Sequence, residues 1–280
     1  MRNEREVLSL LLDFAREDDS VRAVLLNGSR VNPNLTHDRF TDYDVIFAVT
    51  DPSRFLLDQS WIRRFGELIM MQQNIIDELT RPWPIFLMLF EDGVRIDLSY
   101  RYADAIDSYL DDSLTKVLLD KDGAIPVLPE PSDSSYVTRR PSRSEYDKTI
   151  NEIWWCLTNA AKGLCRQELP YAKFMLDTVV RDALVRLLSW HIGSRADWQV
   201  NVGKAGRWLR QYLPEELWQV YVATYADADT KHNWAAIMEV GKLTRAAGKE
   251  LGKRLGYEYP LTDDMKVTAY LRQLMLTEGS

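Results

Sequence analysis

The chain has 280 residues, 46% of them hydrophobic, and 35 basic against 42 acidic side chains give a net charge of −7. That length can hold one large domain or two modest ones, each with a solid core. The acidic balance argues against a nucleic-acid binder, which needs a basic face for phosphates, and no apolar stretch in the sequence approaches the ~20 residues of a membrane span.

The first residues, Met1 to Glu6, mix charges and run into the apolar pattern Val7, Leu8, Leu11, Leu12 and Phe14. A helix is expected over Asn3 to Arg16, with no signal-peptide h-region. Val21 to Leu26 reads as a strand, followed by a Gly28-Ser29 turn, a loop containing Pro33, and a second strand from Tyr43 to Val49. Pro33 and the polar run Asn34 to Arg39 argue against a helix directly after the turn. Trp61 to Phe65 reads as a helix piece and Leu68 to Met71 as a short strand. Phe86 to Phe90 is a continuous apolar run, Glu91-Asp92-Gly93 a hairpin signal, and Val94 to Leu98 an alternating strand. Ala103 to Leu110 reads as helical and Val117 to Leu119 as an edge strand.

Pro126, Pro129, Pro131 and Pro141 cluster with serines and mark a boundary, beyond which the pattern turns helical. Helices are expected over Ser142 to Gln167, with Ser144 as cap, Ala172 to Ile192, Gly203 to Tyr212, Pro214 to Tyr225 and Lys231 to Leu255. The fold class expected is α+β, with a mixed β-sheet flanked by helices over residues 1–135 and a helical bundle over residues 136–280. A ligand cleft between two such domains is a common arrangement. Cys156 and Cys165 fall in one expected helix, where they cannot face each other, so a reduced, cytoplasmic protein is expected. His37, His191 and His232 are scattered and form no zinc pattern.

Chemistry concentrates in three places. Asp42 and Asp44, at i and i+2, would project from the same side of a strand with Cβ atoms roughly 6–7 Å apart. Both side chains could then reach Mg²⁺ and hold it against a phosphate chain. The Gly28-Ser29 turn can bring backbone N–H groups and a hydroxyl up to phosphate oxygens. Singly, each is more often an ordinary turn or a solvated strand start. Asp97, on the opposite face of its strand from Ile96 and Leu98, is the third carboxylate, and the three places together read as a nucleotidyl-transfer site.

The order Gly28-Ser29-Arg30-Val31-Asn32, Asp42-Tyr43-Asp44, then Phe90-Glu91-Asp92-Gly93 with Arg95-Ile96-Asp97-Leu98, resembles the polymerase-β-type nucleotidyltransferases. Within them it is similar to the bacterial aminoglycoside 6-adenylyltransferases, the streptomycin-modifying enzymes. The likeness continues through Met70-Met71-Gln72, Val117 to Asp122, Arg140-Pro141, Lys162-Gly163-Leu164 and Trp190-His191-Ile192, so it covers the chain to about Tyr259. It implies transfer of AMP from ATP, with Mg²⁺, to a hydroxyl of an aminoglycoside. Asp42 and Asp44 would bind the metal, and Asp97 would share a metal or take the acceptor's proton. Gly28, Ser29 and Arg30 would meet the phosphates. Lys204, at an expected helix start where a lysine sits poorly with the macrodipole unless an anion joins it, would add a phosphate contact. A cationic acceptor calls for carboxylates and aromatic rings, with Glu91, Glu152 and Trp155 as candidates. The net charge suits such a ligand, although acidity is also a common route to solubility. The partners expected are small molecules, with neither nucleic acid nor membrane, and the oligomeric state stays open. A same-fold transferase acting on a protein or a tRNA end is the alternative, and the absence of a basic stripe counts against tRNA. A binding module that had lost catalysis would be expected to lack one of the three aspartates.

Overall fold

The computed structural model describes residues 2–77 and 81–278, which form two units, Met1–Ser135 and Tyr136–Ser280. The first unit begins with α1 (Glu4–Glu17), started by a reciprocal cap in which Asn3 accepts from the Glu6 N–H and Glu6 reaches back to Asn3. Its apolar stripe, Val7, Leu11, Phe14 and Ala15, is buried. Then come β1 (Val21–Asn27), a 3₁₀ turn over Gly28–Val31, β2 (Tyr43–Val49), α2 (Arg54–Leu57), β3 (Leu68–Ile76), β4 (Trp83–Phe90), β5 (Arg95–Tyr102) and β6 (Thr115–Asp120).

These strands form one sheet in the order β3-β4-β5-β2-β1-β6. Only the central β2–β5 pairing is parallel among the described strands. A parallel pair needs a long crossover, supplied here by α2, a 3₁₀ run over Ser60–Arg64 and the β3–β4 hairpin. Strand alternation splits the residues between two faces. Val24, Leu26, Val45, Phe47, Phe86, Leu98 and Tyr100 meet α1 and an aromatic cluster in which Phe55 stacks on Tyr100 at 3.9 Å and Trp61 stands edge-on to Phe86 at 5.0 Å. The other face carries Asn27, Asp44, Asp97 and Ser99, so the core on one side fixes the polar set on the other.

Expectations change at several places in this unit: the helix piece expected over Trp61 to Phe65 is the 3₁₀ run over Ser60–Arg64, and α2 precedes it unannounced. The strand at Leu68 runs on to Ile76, because β3 is an edge strand whose Gln72, Gln73 and Ile75 face water without penalty. The expected helix at Ala103 is a kinked 3₁₀ run over Ala103–Tyr109 with no buried residue to hold a full helical face.

The second unit is helical: α3 (Arg143–Cys165), α4 (Leu169–Phe174), α5 (Arg181–Arg195), α6 (Leu209–Tyr212), α7 (Glu215–Ala223), α8 (Thr230–Leu255) and α9 (Leu261–Glu278). A π turn over Met175–Val180 joins α4 to α5. The cap of α3 is Ser142, reciprocated by Glu145, rather than Ser144, which lies inside the helix. The expected helix from Gly203 breaks into a 3₁₀ turn over Lys204–Gly206 and then α6, because Gly203, Ala205 and Gly206 all have positive φ.

Helix α9 has no counterpart in the expected elements. Its apolar residues spread around the helix, with Leu261, Met265 and Leu276 exposed and Leu271 buried, so no single stripe announces it. It is anchored instead by polar groups. Asp264, fully buried, accepts from Arg245 Nε at 2.6 Å, Tyr259 OH at 3.0 Å and Thr268 Oγ1 at 3.1 Å, and the Tyr259 hydroxyl accepts from Trp154 Nε1 at 3.1 Å. Among the described residues, no helix is long and apolar enough to cross a membrane.

Candidate active site

The sheet register builds the site. Asn27 of β1 lies opposite Asp44 of β2, and Asp44 lies opposite Asp97 of β5. Neighbouring strands run about 4.8 Å apart, so the two aspartates stand side by side although they are distant in sequence. Asp42 sits just before β2, half-exposed. Gly28, with φ of +74°, turns the chain at the end of β1, and a Cβ there would lie 2.4 Å from Asp44 Oδ2. Only glycine lets the turn come this close to the carboxylate.

Charge is crowded here. Burial first, then the neighbouring Asp97 and Asp42, pushes the Asp44 carboxyl up to about 6. Arg95, two residues before Asp97 on the same face of β5, answers this crowding. It donates from Nε and Nη2 to the two Asp97 oxygens at 2.8 and 2.7 Å, and its Nε lies 3.7 Å from Asp42 Oδ2. These contacts raise the guanidinium above its ordinary value, the Asp97 hydrogen bond most of all. Arg95 was not among the expected site residues, yet its i, i+2 spacing to Asp97 on an alternating strand was visible in the sequence.

The three aspartates offer hard carboxylate oxygens, the donors Mg²⁺ prefers, and the raised Asp44 value marks a site that gains from a cation. The chemistry of the donor set therefore fits the metal. Its arrangement fits less completely, since among the described residues no three carboxylate, histidine or cysteine side chains are grouped as a metal centre, and both Asp97 oxygens face Arg95.

Ser29 is half-buried in the 3₁₀ turn that follows β1. Arg30 departs from the expected phosphate contact. Its side chain is buried, its guanidinium carbon lies 3.7 Å from the Tyr43 ring centroid, and it donates to the backbone carbonyls of Thr41 and Asp42 and to Glu4. It pins the segment that delivers Asp42, because a buried guanidinium must spend its donors on nearby acceptors. Arg30→Gln should accordingly destabilise the fold by about 2–4 kcal/mol, measured by urea unfolding. An unchanged unfolding midpoint with a raised KM for ATP would return Arg30 to the phosphates.

Glu91 lies exposed in the β4–β5 turn, where its N–H donates to the Glu67 carbonyl. Asp92 beside it is held far below the usual carboxylate range by hydrogen bonds from Arg2. Glu152, Trp155 and Lys204 belong to the second unit. Glu152 and Trp155 are both exposed and three residues apart on α3, hence neighbours on its surface. Glu152 lies 3.8 Å from Arg186, which pairs more closely with Asp182 at 2.6 Å. Lys204 is exposed in a one-turn 3₁₀ segment, so the macrodipole argument for it lapses.

A unit that sets paired aspartates on the face of a mixed sheet away from its aromatic core, followed in sequence by a helical unit, is built as a nucleotidyltransferase. The chain belongs to the streptomycin adenylyltransferase family, whose model matches residues 1–274. It is 38% identical over 275 residues to an aminoglycoside 6-adenylyltransferase of Campylobacter jejuni, covering 97% of this chain and 95% of that protein. It is 36% identical over 270 residues to an aminoglycoside 6-adenylyltransferase of Bacillus subtilis (strain 168), covering 94% and 95%. A crystal structure of an aminoglycoside 6-adenyltransferase from Bacillus subtilis aligns with 98% of this chain and 99% of its own, at 32% identity and a TM-score of 0.49.

Proposed function

We propose that this protein transfers AMP from ATP to a hydroxyl of an aminoglycoside, with streptomycin as the acceptor, and releases pyrophosphate. The observation that carries the reading is the Asp44–Asp97 register pair with Gly28 turned against Asp44, in a chain whose relatives are named aminoglycoside 6-adenylyltransferases. Asp42 and Asp44 are the residues assigned to Mg²⁺, which would supply charge neutralisation for the triphosphate. Asp97 is assigned to the same metal set or to the acceptor's proton, since a carboxylate in reach can serve either role. The Gly28-Ser29 turn offers N–H groups and a hydroxyl to phosphate oxygens. In-line attack then depends on how the protein orients the acceptor, which is where most of the rate gain from positioning arises. The test is pyrophosphate release from ATP and Mg²⁺ with a panel of aminoglycosides. Release with streptomycin and not with kanamycin is expected, and no release with any member would overturn the reading.

The acceptor is cationic, and Glu152, Trp155 and Glu91 are proposed to hold it, with Lys204 proposed for the nucleotide phosphates. Exposed charges are screened over about 8–10 Å at 0.1–0.15 M ionic strength. The KM for streptomycin should therefore rise with added salt, more steeply than that for MgATP. Glu152→Gln should raise the streptomycin KM about two- to fivefold, the scale of an exposed ion pair, and flatten its salt dependence. A variant indistinguishable from the parent would make Glu152 a solvated partner of Arg186 alone.

A further inference from the structure

Arg95 is the charged group of this site to which the transfer reading assigns no task. Its fork takes both oxygens of Asp97, and its Nε also faces Asp42. The partners differ in freedom: the Asp97 side chain is 11% exposed and the Arg95 side chain 44%. The carboxylate is fixed in the sheet between β2 and β4, whereas the guanidinium has solvent to move into. A guanidinium and a divalent cation both seek carboxylate lone pairs, and a bidentate fork engages both oxygens.

We propose that Arg95 is a positioning residue that holds Asp97 by both carboxylate oxygens, and that Asp97 would be free to serve a divalent cation only once this fork lets go. The inference rests on the nucleotidyl-transfer reading and adds an order of events to it. A cation alone must compete with the guanidinium, so its apparent affinity falls by the fraction of time that Asp97 is engaged. Phosphate oxygens of a bound triphosphate would add to the donor set and so favour release of the fork from Asp97. Arg95 thereby couples metal capture to nucleotide arrival.

The test is a Mn²⁺ titration of the nucleotide-free full chain, followed by loss of the free-ion electron paramagnetic resonance signal. Arg95→Gln should bind Mn²⁺ about tenfold more tightly than the parent. Arg95→Lys keeps the charge but lacks the planar fork, and it should bind about threefold more tightly. In the double variant Arg95→Gln, Asp97→Asn, the gain should disappear. A lysine variant equal to the parent would reduce Arg95 to background charge, and a gain that survives in the double variant would show that Asp97 is not the released ligand. Either result overturns the proposal. Pyrophosphate release from the parent is read separately. An active parent with a flat Mn²⁺ series removes the role of Arg95 alone, and an inactive parent with the expected series removes the transfer reading alone.

Discussion

Asp44→Asn is expected to lower AMP transfer by roughly a thousandfold or more and, at the same time, to raise the melting temperature of the metal-free protein at pH 8. The first effect follows from losing a charged oxygen ligand at almost unchanged volume. The second follows from the carboxyl's titration near about 6 in the fold, caused by burial and by Asp97 and Asp42. A folded-state value above the unfolded one means that folding favours the protonated acid. The stability this confers is full below about pH 4 and is lost as pH rises through about 6. Above that range the ionised side chain costs the fold up to about 3 kcal/mol, from two pKa units at 1.36 kcal/mol each, and asparagine removes the cost. Thermal melts in EDTA should show a gap in favour of the variant at pH 8 that closes at pH 4. A variant that melts lower than the parent at pH 8, or that turns over normally, would contradict the site.

Gly28→Ala should also be damaging, for a different reason. Its φ of +74° costs an alanine about 1 kcal/mol, and the new Cβ would lie 2.4 Å from Asp44 Oδ2, so the carboxylate or the turn must shift. Displacements of this size at a reacting centre cost about a hundredfold in rate. Gly123→Ala provides the comparison, since it has φ of +62° and nothing within 4 Å of an added Cβ. It should lose about 1 kcal/mol of stability with unchanged turnover. Equal loss of turnover in both variants would locate the effect in backbone strain instead of in contact with Asp44.

The residues that carry the fold were legible where periodicity and turn chemistry agree. The alternation of Asp97 against Ile96 and Leu98 announces both the strand and its polar face, although β5 runs on to Tyr102. Asp42, Asp44 and Asp97 could be chosen as a set, but their juxtaposition depends on the parallel pairing of β2 with β5, which no local pattern encodes. Arg30 looked like a phosphate ligand because sequence shows its type and not its direction; the side chain turns instead to the carbonyls of Thr41 and Asp42. Helix α9 carries no apolar stripe to announce it, because an ion pair from half-exposed Arg245 to buried Asp264 does the anchoring that such a stripe usually does.

The β2–β5 pairing also bears on how the protein reaches its native state. Asp44 and Asp97 are roughly fifty residues apart in sequence, and that whole intervening segment must close before they can meet, an entropic toll collected ahead of any reward. Hairpins such as β3–β4 and β4–β5 can zip locally and early. The aspartate pair cannot, so recovery of activity on refolding should track the slowest phase of sheet closure and lag behind the first regain of secondary structure. Activity thus reports the completed topology of the sheet, and partly folded chains, however rich in strands, stay catalytically silent.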